Sequence, residues 1–262
     1  MKTLALLLAL SPAAQGQFVK VAFEAPGRES VRLEAFGKTV PCYPDGKKIE
    51  CLAAVPANFA PGEQTLKLLS DSGPIGEAKV RIEAAKFPEE TLALTQEKKD
   101  LMKASDKRDA EVKIIRAGLG AETPEKSWKG RFIKPVKGVT ESLFGEKRIL
   151  DGKMMEGYYH KGQDIGAKHG TPILASNAGR VVIARGLIEE GNMVALDHGH
   201  GVVSIYMHCS SLSVKEGQAV KKGQEVGRVG STGISNSPHV HFGVYIHDTP
   251  TDPIFWLANS PD

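Results

Sequence analysis

The chain has 262 residues, 41% hydrophobic and 25% charged, with 34 Lys and Arg against 31 Asp and Glu for a net charge of +3. That composition supplies real cores for two domains of ordinary soluble type and excludes a disordered or fibrous chain. No basic cluster with interleaved aromatics points to nucleic acid, and the slight positive balance suits an anionic surface.

Met1-Lys2, the apolar run Thr3 to Leu10 and then Ser11-Pro-Ala-Ala-Gln-Gly16 follow the order of a secretory leader. Residues 1–16 are expected to be removed, with cleavage after Ala14 or Gly16. The apolar run is too short to anchor the chain in a bilayer. No cysteine lies near for lipid attachment. The mature protein is expected in the periplasm or outside the cell, with no stable membrane anchor. A buried N-terminal strand or helix is the competing reading.

Residues 17–86 read as short strands broken by turns. Phe18-Val-Lys-Val-Ala-Phe, Val31-Arg-Leu-Glu-Ala-Phe, Thr65-Leu-Lys-Leu-Leu and Ala78-Lys-Val-Arg-Ile alternate or nearly so, and Pro44-Asp-Gly, Ala60-Pro-Gly and Asp71-Ser-Gly-Pro separate them. The pattern predicts a small β-sandwich of immunoglobulin-like type. Such a domain would position substrate, inhibit or bind a protein partner of unknown identity, or else simply pack. Cys42 and Cys51 flank the Pro44-Asp45-Gly46 turn, and in an exported protein they are expected to form a disulfide.

Residues 87–127 connect the domains. Ser105 caps a predicted helix in which Val112, Ile115 and Leu119 recur and Gly118 and Gly120 give the stop. The charge runs from Gln96 and from Asp106 read as a solvated face. Residues 128–262 form the last domain. Within it, Lys147 or Arg148 of Phe144-Gly-Glu-Lys-Arg either meets a substrate carboxylate or is a plain surface charge.

All eight histidines fall between His160 and His247. His160-Lys-Gly-Gln-Asp164 would hold its two donors about 13 Å apart in a straight strand, and it is a poor helix sequence. A bend near Gly162 is therefore required if both are to meet one ion. His239, His241, Gly243 and Tyr245 alternate with Val240, Phe242, Val244 and Ile246, which marks a strand with both histidines on one face. The same alternation puts Ser204, Tyr206 and His208 together, opposite Val203, Ile205 and Met207. Five polar groups would then line one groove of a β-sheet. Imidazole and carboxylate together suit zinc. Cys209 is either a further ligand or a buried thiol, and alternation favours the thiol. His198-Gly199-His200 reads as a hairpin tip, and His169 and His247 as surface residues.

From Trp128 to Leu257 the chain resembles the LytM/lysostaphin-type zinc metallopeptidases, which cut peptidoglycan cross-links. The resemblance rests on His160-Lys-Gly-Gln-Asp164-Ile-Gly, Gly170-Thr-Pro-Ile-Leu-Ala, Gly179-Arg-Val-Val, Tyr206-Met-His208, Gly230-Ser-Thr-Gly233 and His239-Val-His241-Phe. It implies a mainly β fold, an antiparallel β-sheet peptidase domain after the sandwich and the connecting helix. It implies a zinc held by His160, Asp164 and His241, with His208 and His239 as the catalytic pair. Peptidoglycan stem peptides are the implied partner. Some relatives carry a tyrosine where Met154 stands here, with Tyr158 and Tyr159 close by.

Three other readings compete. A degenerate member that activates another wall enzyme would be expected to lack some of the five groups. A biotinyl or lipoyl carrier fits the Gly-Gln-X-Val hairpins but has no use for the histidines. A helix-borne zinc peptidase would need a His-Glu-X-X-His that is absent from the sequence.

Overall fold

The computed structural model describes residues 7–9, 12–24, 30–103 and 105–260. It is mainly β, with 48% strand and 11% helix. Two sheets form the N-terminal part. One orders the strands Leu7–Ala9, Phe18–Glu24, Lys48–Ala54 and Tyr43–Asp45; the other orders Ala13–Ala14, Gly73–Glu83, Gly62–Ser70, Arg32–Ala35 and Lys38–Pro41. Their alternating apolar residues, among them Val19, Val21, Leu33, Leu66, Leu68, Val80 and Ile82, meet in one core. Cys42 and Cys51 are joined across this region.

The leader reading meets the fold at two points. Leu7–Ala9 pairs with Phe18–Glu24, and Ala13–Ala14 pairs in parallel with Gly73–Glu83. Ala13 is buried, Gly16 accepts a backbone bond from Asp252 at 2.7 Å, and a Cβ on Gly16 would strike Phe144. Cleavage after Ala14 or Gly16 would remove the Ala13–Ala14 strand. A leader that ended before Pro12 would spare the Ala13–Ala14 strand and the Gly16 contacts but would remove Leu7–Ala9 from the first sheet.

The C-terminal part is a ten-stranded sheet. Its spine runs Val139–Ser142, Gln163–Gly166, His239–Ile246, Val202–Leu212, Gly191–Gly199, Gly179–Leu187 and Ala219–Val220. One face carries Val240, Phe242, Val244 and Tyr206 into a large core with Trp128, Phe132 and Trp256. The other carries Val203, Ile205 and Tyr245 onto Leu119 and, partly buried, Ile115. Those two belong to the helix Asp106–Leu119, which Ser105 caps by accepting from the Arg108 amide and Gly120 ends. Phe18 packs on Phe255 and Trp256 at ring separations of 5.3 and 4.8 Å, so the two parts share apolar surface.

The connecting segment holds more than one helix. Glu89–Leu92 forms a strand that pairs in parallel with Lys147–Leu150, and Gln96–Leu101 forms a short helix capped by Thr95. Most residues of the two charge runs are exposed, as a solvated face requires, but three of their cations, half-buried, have partners. Lys98 reaches the Ser235 carbonyl and Asn236 Oδ1, Lys99 pairs with Asp151, and Arg108 pairs with Glu189. His247 is also no surface residue. It is buried at the junction of the two parts, with its ring 6.2 Å from that of Tyr43.

Candidate metal centre

His160 lies against the turn Leu143–Glu146, which holds it from several sides. Gly145 N donates to His160 O at 2.8 Å, His160 N donates to Glu146 O at 2.8 Å, and His160 Nδ1 donates to Leu143 O at 2.9 Å. That last bond leaves Nε2 as a bare acceptor aimed inward. The chain then bends at Gly162, as expected. A side chain there would collide with Phe242 O at 2.5 Å and His241 Nε2 at 2.7 Å, so only glycine lets the chain pass. Beyond the bend, Gln163–Gly166 pairs antiparallel with His239–Ile246, and Asp164 falls directly opposite His241.

Three donor atoms converge as a result. His160 Nε2 lies 3.1 Å from Asp164 Oδ1 and 2.9 Å from His241 Nδ1, and the latter two are 2.9 Å apart. Electron pairs brought this close need a cation or proton between them. Two imidazoles and one carboxylate are a donor set that suits zinc, and among the described residues no other metal-binding group of three or more appears. The residues present therefore fit that ion. Burial alone pushes the Asp164 carboxyl up, but the bonds with His160 and His241 outweigh it and hold it well below the usual carboxylate range.

His208 and His239 stand beside this cluster with rings 4.9 Å apart, and the His208 ring is 6.4 Å from that of His241. Each gives its Nδ1 proton to a backbone carbonyl, His208 to Thr232 O at 2.8 Å and His239 to Ser237 O at 2.9 Å. Each is thereby left with Nε2 as its acceptor; that of His239 lies 3.8 Å from Asp164 Oδ1. Burial first, then the neighbouring His239 and His241, push the His208 imidazole down to about 3.

The alternation read from sequence fails at one point. Tyr206 does not line the groove: it is fully buried, stacks on Phe242 at 5.6 Å, bonds Ser204 Oγ at 2.9 Å and accepts from Ser176 N. His208 instead has φ 63°, and the pairing shifts register at this place. A bulge turns its side chain to the opposite face from Tyr206. Cys209 goes to the core as a buried free thiol, so the ligand alternative for it falls. His198 is a core residue bonded to Ala178 O and Ser204 Oγ at 2.6 and 2.8 Å. His200 closes the hairpin turn with φ 51°, and His169 is exposed.

Sequence reasoning missed the supports. Thr232, within Gly230-Ser-Thr-Gly233, fixes His208 through its carbonyl and ties Asn192 N to Cys209 O through its hydroxyl. Ser235 Oγ lies 3.2 Å from His239 Nδ1. Arg148 is not a surface charge. It is buried, its Nη2 stands 3.7 Å from Asp164 Oδ2, and its Nη1 pairs with Glu90. Tyr158 is near enough to Arg148 and Asp164 for both charges to act on its hydroxyl.

Residues 158–253 match the model of Peptidase family M23. The cell division protein DipM of Caulobacter vibrioides is 38% identical over 50% of this chain and 22% of its own. The peptidoglycan DD-endopeptidase ShyA of Vibrio cholerae is 37% identical over 39% of this chain and 23% of its own. The murein hydrolase activator EnvC of Escherichia coli is 34% identical over 54% and 31%. The chain thus spans about a fifth to a third of the length of these relatives. A crystal structure of a putative M23 peptidase from Pseudomonas aeruginosa shares the fold at a TM-score of 0.70, with 24% identity, over 94% of this chain and 95% of that one. The family-model match, the relatives and the shared fold together support a peptidase family M23 domain of LytM type over residues 158–253.

Proposed function

We propose that the protein is an exported zinc metalloendopeptidase that hydrolyses peptide cross-links of bacterial peptidoglycan. One observation carries this reading: His160, Asp164 and His241 bring three donor atoms together while His208 and His239, held at Nδ1 by backbone carbonyls, stand beside them with Nε2 as acceptor. In this reading His160, Asp164 and His241 hold the ion. When bound, zinc polarises the scissile carbonyl and makes water acidic enough to attack near neutral pH. The chain's own part is proton handling. Nε2 of His239 or His208 takes the water proton and later returns it to the leaving amine, and the other stabilises charge on the former carbonyl oxygen. Their carbonyl partners at Nδ1 keep both rings in the tautomer this requires.

A second reading has support in the EnvC likeness, since that protein is a murein hydrolase activator. In it this chain would bind and activate another wall enzyme without cutting. Retention of all five polar groups favours hydrolysis. Purified sacculi treated with the protein should lose cross-linked dimers and gain monomers by mass spectrometry, and a chelator should stop this. Cutting of glycan chains or of the sugar–peptide amide alone would sink the endopeptidase reading. Release of products only when a second hydrolase is added would favour the activator.

A further inference from the structure

The linker strand Glu89–Leu92 lies on the wall of the groove, beside the metal cluster. It pairs with Lys147–Leu150, opposite which Met154 and Lys153 add one more short strand. In this register Glu90 sits across from Arg148. The Glu90 carboxylate pairs with Arg148 Nη1 and accepts from Ser142 Oγ at 3.3 and 3.4 Å. Arg148 is 4% exposed, and its other nitrogen faces Asp164 Oδ2. Glu146 Oε2 is 3.8 Å from the same guanidinium. A buried planar fork of donors beside the cluster, with a serine hydroxyl next to it, is a built receptor for a carboxylate.

Three residues further on, the segment reaches the other wall. Ala93 O accepts from Asn236 Nδ2 at 2.8 Å, and Lys98 bonds Asn236 Oδ1 at 2.9 Å and the Ser235 carbonyl. Ser235 is the residue whose hydroxyl approaches His239. The strap is thus fastened at one end to a neighbour of Asp164 and at the other to a neighbour of His239. Its fastenings are weak ones: Glu89 and Thr91 are exposed, the pairing is parallel and four residues long, and the polar contacts with Asn236 are open to water. No large apolar side chain of Glu89–Leu92 is fully buried, so nothing in a core resists its release.

We propose that Arg148 and Ser142 form a carboxylate-binding subsite beside the metal cluster, and that Glu90 occupies it as an internal ligand which a carboxylate of the incoming wall peptide displaces. This rests on the endopeptidase reading for the identity of the peptide, but not for the existence of the subsite. The structure then describes a covered groove: an acidic peptide both opens the strap and is registered by it, while a peptide lacking the carboxylate competes poorly with Glu90.

The test is equilibrium binding of the stem tetrapeptide L-Ala-γ-D-Glu-meso-diaminopimelyl-D-Ala to the full zinc-loaded chain, beside the same peptide with its carboxylates amidated. Glu90→Gln keeps the shape of the side chain and removes the competing charge. It should tighten binding of the acid form about tenfold and leave the amidated form unchanged. Adding Arg148→Lys to Glu90→Gln should abolish the preference for the acid form. The proposal is overturned if Glu90→Gln leaves the acid form within about twofold of the parent, or tightens both forms alike. Intact binding preference without any hydrolysis of sacculi would instead count against the enzymatic reading alone.

Discussion

Tyr206 and His208 lie two residues apart on one strand yet face opposite sides of the sheet, Tyr206 stacked on Phe242 in the core and His208 against His239 in the groove. The reversal is made by one left-handed residue, His208 itself, at φ 63°. Holding a non-glycine residue there costs about 1–2 kcal/mol.

A pair of substitutions isolates that cost. His208→Ala and His208→Gly both remove the imidazole and should both abolish most activity. The glycine variant should nevertheless be the more stable, by about 1 kcal/mol, in reversal of the usual preference for alanine. Chemical denaturation of the two proteins measures the difference. An alanine variant of equal or greater stability would mean that the bulge is not strained at this residue.

The same residue shows how far the sequence can be read. Periodicity of two on His239–Ile246 was sufficient to place His239 and His241 on one face, because that strand is regular and buried on both sides. The bend at Gly162 was legible because a straight chain cannot bring His160 to Asp164. The bulge was not legible: alternation assigns Tyr206 to the groove, and nothing local to Tyr-Met-His announces a change of register. The linker strand was hidden for a different reason. Glu89-Glu-Thr-Leu has no strong strand preference, and only pairing with Lys147–Leu150 defines it. The burial of Arg148 follows from that same pairing.

Cys42 and Cys51 are joined and Cys209 is a buried free thiol. Burial pushes the Cys209 thiol up to about 12, which leaves it unreactive in the native fold. Under native conditions an alkylating reagent should label no cysteine, and after unfolding without reductant it should label Cys209 alone. Replacing Cys42 and Cys51 with serine should destabilise the N-terminal part by about 2–3 kcal/mol. Peptide mapping that found Cys209 bridged would contradict this arrangement.

Acid should weaken the fold through histidines held neutral. Burial pushes His198 down to about 4, and burial, with Lys38 and His200 adding to it, does the same for His247. Both groups are ordinary at 6.5 when the chain unfolds. Between these values the unfolded chain binds more protons, so stability is full above pH 6.5 and falls as pH drops toward 4. Each histidine removes at most about 1.4 kcal/mol per pH unit. Denaturant midpoints from pH 7 to pH 4.5 should decline, and His198→Gln should flatten the decline. An unchanged slope in that variant would show that His198 is not held neutral by the core.

The central claim is that three side chains hold zinc while two histidines beside them remain free to work, and metal content measured on three variants tests it most directly. His241→Ala should lose both zinc and activity, since one ligand of three is gone. His239→Ala and His208→Ala should each retain close to one zinc per chain and still lose activity by about two to four orders of magnitude. Loss of zinc from a folded His239→Ala protein would contradict the account, for it would make the centre a closed four-ligand site with no position left for water.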